Sequence, residues 1–206
     1  MKRTVIVNIP MTIAIQRKRY QSSEPSLKVS ERTVAFPVIA FLEEQIRKED
    51  EITCILILKR SGYDRSDENA GLFEEEMNAV SQKAGASIRF LRTDSEFSEE
   101  RSVHEKLMAR IVEQMENDSH IILDMTYGPK DLPIVEFSAL AFAERFLRCH
   151  VDHIIYGQGF FNEKNELVET RICDLSPLYS LHSLTNTLSC NDPDRARTLL
   201  RSIIAL

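Results

Sequence analysis

The chain has 206 residues, 43% of them hydrophobic and 28% charged, which suffices for one well-packed α/β domain with a small appendage. Its net charge of -6 argues against a general nucleic-acid coat, which would be basic, but leaves room for a small anionic ligand in a locally positive pocket. No apolar run approaches the ~18 residues that span a bilayer, and Cys54, Cys149, Cys173 and Cys190 are scattered without a CxxC pair, as free thiols in a reducing cytoplasm would be. The basic N-terminus leads into a short, strand-like apolar run rather than a signal peptide, so a cytoplasmic location is expected. Charge is unevenly spread. Residues 1–30 hold six cations against Glu24, while residues 94–118 hold eight acids against Arg101, Lys106 and Arg110.

Short β-prone runs alternate with longer helix-prone ones. A first strand is expected over 4–9, ended by Pro10. Residues 11–30 lack a period and read as a long loop with a short strand near 27–29. A helix over 32–48 shows an apolar stripe with Pro37 in its first turn. The strand over 52–58 is nearly all apolar and should be buried on both faces. A polar loop over 61–69, a helix over 70–83 ended by Gly85, a strand over 87–91 and an acidic helix over 99–116 follow. Next come a strand over 119–124, a helix over 132–147 that is apolar around most of its surface and so should be deeply buried, and a strand over 151–156 ended by Gly157 and Gly159. Residues 166–172 suggest an edge strand that hairpins back. This order implies right-handed crossovers, a mostly parallel sheet and a three-layer Rossmann-like α/β fold. Beyond residue 175 the composition turns Ser/Thr/Leu-rich, and Asn191-Asp-Pro-Asp194 looks like the cap of a last amphipathic helix. The expected division is therefore a ligand-binding domain over 1–175 and a C-terminal helical extension over 176–206.

The richest segment is Ile121-Ile-Leu-Asp-Met-Thr-Tyr-Gly-Pro-Lys-Asp-Leu-Pro133. An apolar strand stops at a small polar loop, and Asp131 with Pro133 reads as an N-cap and first-turn proline. Open α/β sheets bind ligands beyond the carboxyl ends of their strands. A loop there beside a helix N-terminus, with Lys130 inside it, suits an anion. Two common cofactor signatures are absent: the first strand leads into Asn8-Ile-Pro-Met-Thr-Ile13 rather than GxGxxG, and there is no GxxxxGK[ST]. The five histidines show neither HExxH nor a paired Cys/His spacing, so neither a metal nor a cofactor is expected. A plainer reading of the loop remains open, in which Asp124 and Thr126 only cap a helix.

The pattern Asp-x-Thr-x-Gly-x-x-x-x-Pro after an apolar strand and before an apolar helix resembles the CRISPR-associated Rossmann fold (CARF) family. Many members place His where this chain has Tyr127. The resemblance also covers the end of the first strand, Pro10-Met11-Thr12, and extends in order and length over most of the chain. It implies a homodimer that binds cyclic oligoadenylate, tetra-adenylate first and hexa-adenylate second, across its two-fold axis. It further implies control of an attached effector in type III CRISPR antiviral defence. The ligand-facing residues it implies are Pro10, Met11, Thr12, Ile13, Asp124, Thr126, Tyr127, Gly128, Pro129 and Lys130. Backbone N–H groups near Gly128 and Lys130 and the hydroxyls of Thr12 and Thr126 would meet phosphates, while Met11, Ile13 or Tyr127 would flank adenines. Arg17, Lys18 and Arg19 would add charge or form a solvated loop. No Arg of the helical tail has His five residues on, as a HEPN ribonuclease would need, so the chain is expected to be the sensor half of a larger protein. One alternative is a metal-free ring nuclease using Thr12 and Lys130. The other is a Rossmann-like interaction module without a small ligand, its acidic run a solvated helix face.

Overall fold

The β-branched run after Lys2 forms the central strand, β1, Lys2–Ile9. Around it, the computed structural model describes residues 1–62 and 64–204. Two-residue strands β2, Lys18–Arg19, and β3, Gln21–Ser22, interrupt the following loop, and β4, Thr33–Val34, pairs antiparallel with β2. The expected strand near 27–29 does not form. Helix α1, Pro37–Gln45, starts later than expected because residues 33–34 are extended, and Pro37 sits in its first turn. Then come β5, Glu51–Arg60; α2, Ser66–Ala84; β6, Ser87–Glu96; and α3, Arg101–Gln114. Tyr63 of the expected polar loop lies outside the described residues. The chain continues through β7, His120–Asp124; α4, Leu132–Phe146; β8, His150–Phe161; and β9, Leu167–Asp174.

The sheet runs β3-β9-β8-β7-β1-β5-β6, with β8, β7, β1, β5 and β6 parallel and β9 antiparallel to β8. This is the three-layer Rossmann-like α/β fold. Chain order reverses between β1 and β7, which pair directly with Val7 opposite Asp124. That junction is the topological switch point, the place beyond which open α/β sheets bind ligands.

Side chains alternate across the sheet. On one face Val5, Val7 and Ile9 join Val38, Phe41 and Leu42 of α1 and Phe73, Met77 and Val80 of α2 in one apolar cluster. On the other, α4 packs against α3 and β8. Two expectations fail here. Helix α4 is not buried all round: only the stripe Leu132, Val135, Glu136, Ala139, Leu140 and Ala143 is covered, and Ile134, Phe142 and Phe146 are exposed. Nor do Gly157 and Gly159 end their strand. They continue β8 opposite Ile172 and Thr170, because β9 supplies hydrogen bonds that extend it. A Cβ at Gly157 would sit 2.6 Å from Pro37 Cγ, so glycine there serves close packing of β8 on α1.

The chain forms two compact units, residues 1–176 and 177–206. In the second unit, α5, Ser176–Thr187, and α6, Pro193–Ile204, line a groove with Leu181, Leu184, Leu188, Leu199, Leu200 and Ile203. Asp192 Oδ1 accepts from the N–H groups of Asp194 (2.9 Å) and Arg195 (3.2 Å), so it caps α6 as the sequence suggests. Ala205 and Leu206 of that expected helix lie outside the described residues. No helix among the described residues is long and apolar enough to cross a membrane.

Candidate functional site

The two loops singled out in the sequence leave adjacent parallel strands at the switch point, so the fold brings them together. The first, 10–13, is pinned by its acceptors. Asn69 Nδ2 donates to the carbonyls of Pro10 (2.7 Å) and Ile13 (3.0 Å), and Arg65 N donates to that of Met11 (2.8 Å). Pro10 is buried, Met11 half-buried, and Thr12 and Ile13 exposed. A loop whose carbonyls are already spent on α2 presents less negative potential to an anion.

The second loop, 124–130, is also pre-set. Asp124 is buried and its Oδ1 accepts from Thr126 N at 2.9 Å, so its work is to close the turn rather than to meet a ligand. Burial pushes its carboxyl up to about 6, against the pull of the Thr126 bonds. Thr126 Oγ1 accepts from Gly157 N at 2.8 Å, tying the loop to β8. Tyr127 turns inward. Its ring lies edge-on to Phe36 at 5.9 Å, its hydroxyl meets that of Tyr20, and burial followed by the nearby Asp124 charge pushes it up to about 12. It is therefore partly buried against the core beside Phe36. Gly128 has φ 103° and lies over Asn8; a Cβ there would come 2.8 Å from Leu132 Cδ1. Only glycine holds that turn without displacing the first residue of α4. Pro129 is half-buried, and Gly128 and Lys130 are positioned beside the α4 N-terminus, Lys130 exposed.

Of the basic run, Arg17 is taken by Glu76 (2.8 Å) and Glu75 (3.2 Å), and Arg19 by Glu31 (3.1 Å). Arg17 is thus a structural group, and Lys130 is the exposed cation that the switch-point loops contribute.

Asp131 corrects a sequence expectation in part. It occupies the N-cap of α4 but makes no side-chain cap bond. Its Oδ2 instead faces His104 Nε2 at 2.8 Å and Lys59 Nζ at 3.5 Å. Glu99, His104 and Asp131 could each offer one atom to a metal ion. The buried Lys59 ammonium, however, already neutralises Asp131 from the sheet side and would repel a cation, so the donor set does not fit one.

Beneath Gly128 lies a group the sequence reading missed. Asn8 is 1% exposed and Glu136 0%, and the carboxamide neighbours the carboxyl. Neither polar atom of Asn8 and neither carboxyl oxygen of Glu136 has a hydrogen-bond partner among the described residues. Burial, and then the neighbouring Asp124 and Asp131, push Glu136 up to about 8. The signals were present: a lone Asn at the end of Val5-Ile-Val-Asn8, and a lone acid within Leu132-Pro-Ile-Val-Glu-Phe137.

A cavity lies between β6 and α3. Its lining includes Arg60, Lys106 and Arg110 but also Asp94, Glu96 and Glu100, so it offers no net field for an anion. The spacing Arg-x-x-x-x-His does occur at Arg148–His153, from the segment after α4 into β8, and at Arg145–His150, from α4 into β8. Neither places both side chains on one helix.

Fold and site together define a Rossmann-like α/β protein whose 10–13 and 124–130 loops leave adjacent parallel strands at the β1/β7 switch point. Comparison with protein-family models finds no match, and comparison with curated proteins finds none either.

Proposed function

We propose that the chain is a cytoplasmic sensor of cyclic oligoadenylate that binds the ring across the two-fold axis of a homodimer and passes the signal to an attached effector. The observation that carries this reading is the convergence of the 10–13 and 124–130 loops at the switch point, with Gly128 and the exposed Lys130 at the N-terminus of α4. Helix N-terminal N–H groups and a free ammonium suit phosphates. A ring of repeating nucleotides suits an isologous interface. The exposed face of α4, with Ile134, Ala141, Phe142 and Phe146 and only Arg145 charged, adjoins the site and offers such an interface.

The test is calorimetry of the full chain against cyclic tetra- and hexa-adenylate, alongside Gly128→Ala. The reading expects at least one ring to bind tighter than ~10 μM, about −7 kcal/mol, with a stoichiometry of one ring per two chains. Gly128→Ala, which forces Leu132 aside, should weaken binding about tenfold or more. If neither ring binds at that level, the sensor reading fails.

A further inference from the structure

Resting on that reading of the site, we infer that Glu136 is a positioning residue that supports the motif loop as a neutral acid, and that ring binding is coupled to a proton held there. The geometry is a stack. Gly128 lies over Asn8, at distances of 3.5 and 3.6 Å from the position of a Cβ to Asn8 Cβ and Cγ, and Asn8 neighbours Glu136. Asn8 belongs to β1 and Glu136 to the second turn of α4, so the pair joins the two elements that carry the ligand loops.

The groups facing Glu136 are few. From β1 there is Asn8 and from the start of its own helix Asp131, while Asp124 of β7, bonded to Val38 N on the α1 face, acts only through its charge. Lys59 of β5 and His104 of α3 reach the cluster through Asp131, which spends Oδ2 on them. No cation is paired with Glu136 itself among the described residues. Buried carboxyls without a partner stay protonated, because ionisation in a low-dielectric interior lacks both solvation and a counter-ion. A protonated carboxyl can donate to Asn8 Oδ1 and accept from Asn8 Nδ2, whereas a carboxylate can only accept. Ionisation thus removes one of the two interactions that the acid can offer to the Asn8 carboxamide beneath Gly128.

The bound ring adds phosphate charge at Gly128 and Lys130, beside Asp131 at the start of α4. A second anion nearby opposes ionisation of Glu136 further, so the ring-bound state holds the proton to higher pH than the free state does. Linkage then requires that affinity fall as pH rises past the point where the free chain begins to release that proton.

Calorimetry with cyclic tetra- and hexa-adenylate between pH 7 and 9.5, in buffers of differing ionisation enthalpy, tests this. The expected result is net proton uptake on binding near pH 8.5 and a Kd that rises about five- to tenfold across the range. Glu136→Gln mimics the neutral acid in shape and should bind at pH 7 as the parent does, with a flat profile and no proton uptake. A flat profile in the parent overturns the inference, and so does a profile that Glu136→Gln leaves unchanged. Carboxyl ¹³C NMR of the ring-free chain reads the same group without ligand. A Glu136 resonance already ionised at pH 6 also overturns it. Failure of either ring to bind at any pH is a different result: it defeats the sensor reading and takes the coupling with it, whatever the NMR titration shows.

Discussion

Two buried glutamates lie on helices that cover opposite faces of the same sheet, and they are solved differently. Glu76 of α2, 4% exposed, has a full complement of partners: Ala35 N donates to both oxygens (2.9 and 3.1 Å), and Arg17 Nε donates to Oε1 at 2.8 Å. Glu136 of α4, 0% exposed, has neither an ion pair nor a hydrogen bond among the described residues. The first fastens the long loop that follows β1 to the apolar face. The second sits behind the 124–130 loop on the opposite face. A polar group whose demands are met is scaffold; one whose demands are left open, at a switch point, stores a capacity to respond.

The sharpest way to break this comparison is to follow stability against pH. Glu136 has a folded value raised from the usual 4.5 to about 8, so the folded chain holds a proton that the unfolded chain has released. Stability contributed by this group is therefore fully present below about pH 4.5 and is lost as pH rises to about 8, at roughly 1.4 kcal/mol per pH unit. Asp124 acts in the same sense over a narrower window ending near 6. Denaturant unfolding of Glu136→Gln should show a shallower decline than the parent from pH 6 to 8. At about pH 8 the variant should be the more stable of the two by up to a few kcal/mol. Equal slopes would mean that Glu136 is solvated or paired in solution, and the contrast with Glu76 would vanish.

Glu76→Ala tests the other side and should be destabilising at every pH. It leaves the Ala35 N–H and the Arg17 guanidinium without their acceptor. A cost of about 2–3 kcal/mol is expected, seen as a lower urea midpoint with an unchanged slope. Because Arg17 is itself half-exposed and can turn to water or Glu75, the loss falls mainly on the buried Ala35 N–H. The shorter substitution Glu76→Asp keeps a carboxylate but should recover little, since its side chain does not span the same gap.

How much of this was legible in the sequence differs between the same two faces. Strand alternation and helix spacing are local, so the order of elements, the parallel sheet and the pairing of the 10–13 and 124–130 loops could all be read. The extension of β8 through Gly157 and Gly159 could not, because it depends on β9 arriving alongside, a contact between separate chain segments. The inward turn of Tyr127 depends on Phe36 and Tyr20, which lie far away in sequence. Asp131 does stand at a helix start, but its partners, His104 and Lys59, come from two other elements and override the local capping preference. The exposed stripe on α4 was masked for a different reason: Ile134, Phe142 and Phe146 have the composition of core residues, and composition does not say which surface covers them.

Lys130 makes the smallest change to the fold and so gives the cleanest reading of the site. It is exposed, and no ion pair holds it among the described residues, so Lys130→Ala should leave stability within about 0.5 kcal/mol of the parent. The same substitution removes the cation that the motif loop offers to a phosphate. One charge-assisted contact is worth about 1.5–3 kcal/mol, so ring affinity should fall at least tenfold, with a weaker salt dependence than the parent shows. Lys130→Arg should retain most of it, because charge rather than the shape of an ammonium carries the interaction. Thermal melts and calorimetry on the three proteins decide the matter together. If Lys130→Ala melts early, the side chain is part of the scaffold like Glu76. If it melts normally and binds the ring as well as the parent, the anion is held by the α4 N-terminus and the backbone around Gly128 alone. Only a normal melt with weakened binding separates Lys130 from the scaffold and assigns it to the proposed ligand.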